Sequence, residues 1–203
     1  MRHLRRFVAI GLLAVLLAGC FGGGASPSPT EFASTPATSQ PPESSLPSPE
    51  PVPSEELEPF SCDLPMHEDA TVPRANIVDV RVGTHADYDR VVFEFVDGLP
   101  EMTLDRAEPP FSEDGSGFPV EVDGSSFLQL TMRGGTKQTE DGTSSYDGPT
   151  EFVPGFPSLV HLVEGGDFEA QSTWYFGLST EACVRVLTLT DDGAPRLVID
   201  IEN

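Results

Sequence analysis

Apolar and polar residues alternate along most of the chain beyond residue 75. "NIVDVRV" (76–82) alternates, and "DRVVFEFV" (89–96) sets Val91, Phe93 and Phe95 on one face with Arg90, Val92 and Glu94 on the other. A period of two marks a strand buried on one side. "FLQLTM" (127–132), "SLVHLV" (158–163), "STWYFGL" (172–178), "CVRVLTLT" (183–190) and "RLVIDI" (196–201) predict further strands, and "EMTLDR" (101–106) and "FPVEV" (118–122) predict weaker ones. "VDG", "EDGSG", "VDGSS", "EDGTSSYDG", "EGG" and "DDG" supply the turns between them. No segment sustains a 3.6-residue apolar period over three turns. The pattern therefore predicts an all-β domain, an antiparallel sandwich or barrel.

Two of these strands share a code. "RVVFEF" (90–95) and "RLVIDI" (196–201) both read Arg, aliphatic, Val, large apolar, carboxylate, large apolar. In an antiparallel pair, the Arg of one would face the acid of the other, worth a few tenths of a kcal/mol. The repetition has two readings. Either it is a common half-buried strand pattern, or it marks pseudo-symmetry, with two related half-sandwiches each contributing one such strand.

The region before residue 60 has another character. "MRHLRRF" is basic, "VAIGLLAVLLAG" carries no charge, and Cys20 follows. A basic start, a short apolar run and small residues describe a secretory signal peptide over residues 1–19. The run is too short for a comfortable bilayer span, which needs about 20 residues. "LAGC" (Leu17 to Cys20) resembles the bacterial lipobox, which implies cleavage before Cys20 and lipidation of its thiol. The bland alternative is an ordinary signal peptide or an uncleaved anchor. Two or three acyl chains on Cys20 would hold the protein at the extracytoplasmic face of the cell membrane. Residues 21–59 hold ten prolines, eleven Ser or Thr, six Glu and no Lys or Arg. Such a stretch buries too little apolar surface to offset its ordering entropy, so residues 20–59 read as a lipidated, disordered tether. Residues 60–203 remain as one domain.

Charge narrows the partners. Without residues 1–19 the chain has 33 acids against eight bases, and residues 60–203 alone carry 27 acids against the same eight, a net of −19. Nucleic acid needs a basic face and is not an expected partner. Of three cysteines, lipidation of Cys20 leaves Cys62 and Cys183. Outside the membrane such a pair is expected to be oxidised, the alternative being two free thiols.

Candidate chemistry is sparse. His67, His85 and His161 show no metal-ligand spacing, and no nucleophile elbow or phosphate-binding loop is present. No metal or cofactor is expected. "EDGTSSYDG" (140–148) offers oxygen ligands but lacks the spacing of a calcium loop, and it reads as an ordinary flexible loop, with a bound calcium ion the alternative. The densest polar cluster is "RVGTHADYDR", Arg81 to Arg90. As a site, Arg81 and Arg90 would grip a carboxylate of a peptide stem, and Tyr88 would stack on a sugar, beside His85 and Asp87. As scaffold, Asp87 and Asp89 would cap the turn and pair with the arginines. Trp174 reads first as a core residue, with an exposed Trp174 or Tyr175 as a sugar platform the alternative. Asp167, Phe168 and Glu169 read as a turn with a buried Phe, a ligand contact being the alternative.

"VDVRVGTHADYDRVVFEF" (78–95), "GDFEAQSTWYFGL" (166–178) and "CVRVLTL…PRLVIDI" (183–201) together resemble the AMIN-like domain of actinobacterial lipoproteins. That family is similar in turn to the AMIN domain of cell-wall amidases and secretin-type pore proteins. The resemblance implies a β-sandwich of two similar sheets and a non-catalytic module. It points to peptidoglycan or another envelope glycan as ligand, with an envelope protein as the alternative partner.

Overall fold

The computed structural model describes residues 57–191 and 193–203. The leader, Cys20 and the tether up to residue 56 lie outside the described residues. Thirteen strands and no helix are found among those described. They are β1 (Met66–Glu68), β2 (Ala75–Thr84), β3 (Tyr88–Val96), β4 (Glu101–Ala107), β5 (Phe111–Ser112), β6 (Pro119–Val120), β7 (Ser126–Arg133), β8 (Gly135–Thr136), β9 (Glu151–Phe152), β10 (Leu159–Phe168), β11 (Gln171–Leu178), β12 (Val184–Leu189) and β13 (Arg196–Glu202).

They assemble into a six-stranded sheet, β1-β4-β7-β11-β10-β9, and a five-stranded sheet, β12-β13-β3-β2-β8. All pairings are antiparallel except β2 with β8. The inward rows of the two sheets make one core. Val91, Phe93 and Phe95 from β3 and Leu197, Ile199 and Ile201 from β13 meet Leu128, Leu130, Trp174 and Phe176 from β7 and β11. Phe93 packs edge-on to Trp174 with ring centres 5.3 Å apart. A buried carboxylate also joins the sheets. Asp89 Oδ2 accepts the backbone N–H groups of Ser158 and Leu159 at 2.7 and 2.8 Å. Those two donors lie at the start of β10, so Asp89 of β3 caps a strand of the opposite sheet. It pairs with no arginine among the described residues.

The repeated strands β3 and β13 are direct neighbours in one sheet. The half-sandwich reading is therefore overturned, and the repeat is two adjacent strands of one sheet, β3 half-buried and β13 buried on both faces. The expected turn at "EGG" is overturned too. β10 runs through both glycines, with a bulge between Glu164 and Gly166. The turn expected over Asp167 to Glu169 is found displaced by one or two residues, at Glu169 and Ala170, both in the left-handed region at φ 52° and 59°. That two-residue loop has the backbone of a hairpin turn normally built from Asn and Gly. Phe168 stands 52% exposed beside it, not buried. The strand expected over 118–122 shortens to Pro119–Val120, where it pairs only with β5.

Candidate functional site

The outer faces of the two sheets differ. On the five-stranded sheet, the pairing register lines up the outward positions in rows. Gly83 stands opposite Arg90, Arg90 opposite Asp200, and Asp200 opposite Arg185. The next row is Arg81, Val92, Val198 and Leu187, and the one beyond is Asp79, Glu94, Arg196 and Leu189.

Asp200 is the hub. Its Oδ1 accepts Arg90 Nε at 2.6 Å, and its Oδ2 accepts Arg90 Nη2 at 2.9 Å and Arg185 Nε at 3.0 Å, with Arg185 Nη2 also donating to Oδ2. Asp200 is 0% exposed, roofed by the two guanidiniums. Burial works against the charge on Arg90, but the hydrogen bonds and attraction of Asp200 outweigh it and raise its pKa. The sequence rule that Arg faces acid across an antiparallel pair holds here.

Aromatic rings continue this row. The Arg90 guanidinium lies 5.0 Å from the centre of the Tyr88 ring and that of Arg185 lies 5.3 Å from it. Arg185 also sits 4.5 Å from the Phe60 ring. His85 stacks on Tyr88 with centres 4.4 Å apart and planes 23° off parallel. The turn beneath is locked by backbone. His85 N–H donates to the Tyr88 carbonyl at 2.8 Å, and Asn203 N–H donates to the Asp87 carbonyl at 3.1 Å. The approaching chain is held on the same side. Ser61 and Val184 exchange two backbone hydrogen bonds, and Cys62 is disulfide-bonded to Cys183.

The structure thus brings His85, Tyr88 and Arg90 together, and it adds Arg185, Asp200 and Phe60. Arg81 lies on the same face, but its Nη1 donates to Asp79 and, with Nη2, to Glu94 at 3.0 Å. Burial opposes its charge too, and the bonds to Asp79 and Glu94 outweigh burial and raise its pKa. A carboxylate grip between Arg81 and Arg90 is therefore not what the geometry offers, because both guanidiniums already hold acids. Asp87 is exposed and makes no ion pair among the described residues. Trp174 does not join the face. It is 0% exposed in the core, with Nε1 donating to Ser172 Oγ at 3.0 Å. Tyr175 is covered as well, its hydroxyl donating to the Ser112 carbonyl at 3.2 Å. Arg185 and Asp200 were legible as polar positions in "CVRVL" and "VIDI", but which strands become neighbours is not. Phe60 carries no signal beyond its place beside Cys62.

The six-stranded sheet is closed over by the hairpin of β5 and β6. Phe111 packs on Phe127 and Tyr175, and Thr173 Oγ1 donates to Asp114 Oδ2 at 2.6 Å. Beside that hairpin runs an acidic cleft of about 360 Å³, lined by Glu113, Glu121, Glu151 and Glu164 among others. The last of these is held by Lys137.

Acid–base groups are otherwise committed to structure. His161 is buried, its Nδ1 accepting Asp123 N–H at 3.0 Å and its Nε2 meeting Glu151 at 3.2 Å. Thr103, His67 and Asp69 form a chain in the order of a nucleophile relay. That chain lies on the surface with Asp69 wholly exposed, and a relay needs a buried acid and a hole for an oxyanion. The "EDGTSSYDG" loop is tied to itself, with Asp141 accepting from Thr143 Oγ1 at 2.8 Å and from Thr139. No three His, Cys, Asp or Glu among the described residues are placed to hold a metal ion.

The fold is an all-β sandwich that carries paired charges and stacked rings on the outer face of one sheet. The AMIN-like domain family matches residues 75–203, well over half of the chain, and the chain belongs to that family. AMIN-like domains are generally non-catalytic binding domains with a cell-wall-related role. No curated protein and no solved structure matches the chain.

Proposed function

We propose that this chain is a cell-envelope lipoprotein, held to the membrane through Cys20. Its AMIN-like domain binds peptidoglycan or another envelope glycan without catalysing a reaction. The leader and lipobox support the anchor, and the Pro-rich stretch supports a tether that lifts the domain toward the wall. The observation that carries the binding reading is the half-buried Tyr88, with the His85 ring stacked on it and the guanidiniums of Arg90 and Arg185 at 5.0 and 5.3 Å from its ring centre. Such a group presents an aromatic surface rimmed by fixed donors, which suits a sugar better than an apolar partner. A protein partner is the second reading. Val92 and Leu187, partly exposed between the charged rows on either side of the buried Val198, support it.

Co-sedimentation with purified cell-wall sacculi at low and high salt tests the proposal. The domain and wall polymers are both acidic, so charge attraction does not drive binding, and specific binding persists or strengthens in salt. Pelleting that persists in salt and falls in Tyr88→Ala supports a glycan site. No pelleting at any salt ends the glycan reading and leaves the protein partner, sought by cross-linking.

A further inference from the structure

Gly83 ends the outward row that contains Arg90, Asp200 and Arg185, at the edge of the sheet, since β8 pairs with β2 only at Ala75 and Asn76. A glycine in a strand costs conformational entropy and contributes no side chain, so its presence calls for a reason. Two reasons are usual. The backbone takes a positive φ, or a side chain would collide with a neighbour. Every other described glycine shows one or both of these. Gly165 lies under the Tyr175 ring, for instance, and Gly177 lies against the Asp123 carbonyl. Gly83 shows neither. Its φ is outside the left-handed region, and a Cβ built on it meets no atom within 4 Å. The bulge in β2 lies elsewhere, between Ile77 and Asp79. A third reason for a strand glycine is close approach by something outside the chain.

We propose that Gly83 is the floor of a notch that receives one neutral, hydroxylated sugar ring of a glycan strand. This rests on the glycan reading above and sharpens it. The notch has Arg90 across the ladder and Arg81 two residues before it on the same face, with the stacked His85 and Tyr88 at its turn end. Neutrality of the ligand follows from the charges. Arg81 is engaged by Asp79 and Glu94, and Arg90 and Arg185 share Asp200. Arg81 with its two acids sums to −1 and Arg90 and Arg185 with their one acid to +1, so an anion would find no net positive charge on this cluster and would meet the field of a domain with a net charge of −19. Hydroxyls, by contrast, both donate and accept, and they suit a face where guanidiniums and carboxylates are fixed side by side. Arg90 keeps Nη1 without a hydrogen-bond partner among the described residues, since Nε and Nη2 are taken by Asp200. That nitrogen is the donor assigned to a ring hydroxyl.

The test uses the full-length chain in detergent micelles, with Gly83→Ala, Gly83→Val and Gly83→Leu. Because the space is open, all three keep the thermal unfolding midpoint of the parent or raise it. Two soluble probes are titrated by NMR, a tetramer of N-acetylglucosamine and a free stem peptide ending in D-Ala. The tetramer binds the parent, and its affinity falls stepwise along the series, at least tenfold by Leu, while the peptide does not bind. Tetramer binding that is equal in parent and Gly83→Leu overturns the notch. Binding of the peptide alone overturns the ligand class. A parent that pellets with sacculi but ignores the tetramer overturns this inference and leaves the broader glycan reading standing. A parent that does neither takes both away.

Discussion

The two sheets carry the same alternation, yet their outer faces have opposite fates. On the six-stranded sheet the outward Tyr175 and Thr173 are capped by the β5–β6 hairpin through Phe111, Ser112 and Asp114. On the five-stranded sheet the outward rows are covered by their own long side chains, with guanidiniums roofing Asp200. A face closed by chain is committed to stability. A face closed only by paired charges and rings, with a glycine left bare at its edge, stays available to a partner. Alternation alone does not separate the two, because both sheets obey it equally well.

The largest blow to the five-stranded face comes from its disulfide. Replacing both Cys62 and Cys183 by Ser removes a link across 121 residues. In the chain-entropy account that costs ~4–5 kcal/mol. It also loosens the segment that lays Phe60 on Arg185. Urea unfolding of the double variant checks the number.

Next comes Asp200→Ala, which strands two shielded guanidiniums over a hole. Removing one partner of a buried ion pair costs ~3–5 kcal/mol, read from the denaturant midpoint. The matching cut on the other face is smaller. Asp114→Ala leaves the buried Thr173 hydroxyl without its acceptor, at ~1–3 kcal/mol. That variant loosens the hairpin and leaves sacculus binding unchanged, whereas Tyr88→Ala weakens binding with little loss of stability. The reversed result would transfer the function to the capped face.

Two smaller effects sharpen the contrast. Arg81→Ala removes exposed pairs with Asp79 and Glu94 and shifts stability by ~0–1 kcal/mol. Glu164, beside the capped face, adds a pH signature. Burial raises its pKa above the ordinary 4.5, the pull of Lys137 works the other way, and Asp167 and Glu113 add to the rise. A raised carboxyl pKa means the folded state holds its proton to higher pH than the unfolded state. Glu164 therefore costs stability progressively as pH rises from 4.5 through the folded pKa, and the cost vanishes below 4.5. Unfolding midpoints across that range for Glu164→Gln and its parent check this. The difference moves in favour of the variant as pH rises.

Much of this was legible in the sequence, for reasons that can be named. Each long strand announced itself because one face is buried and the period of two survives in the residues. The Arg90–Asp200 pair was legible as a type, since Arg and carboxylate occupy mirrored positions in "RVVFEF" and "RLVIDI". What was hidden depends on contacts between distant segments. The turn read at Asp167 to Glu169 falls at Glu169 and Ala170, and its two-residue form was hidden because neither is a residue that prefers positive φ. Gly165 and Gly166 gave a false turn signal because they serve a bulge and the packing of Tyr175. Tyr175 lost its outward face to a hairpin too short to show alternation. Phe60 joined the site only because the disulfide brings it there.

The claim that the five-stranded face does the binding is tested most directly by mapping amide chemical shifts while soluble peptidoglycan fragments are added to the full-length chain. The account predicts changes at Gly83, His85, Tyr88 and Arg90 and along β13 near Asp200, with the β5–β6 hairpin silent. Changes centred on residues 111–120, or saturable binding that leaves residues 81–90 untouched, would contradict it.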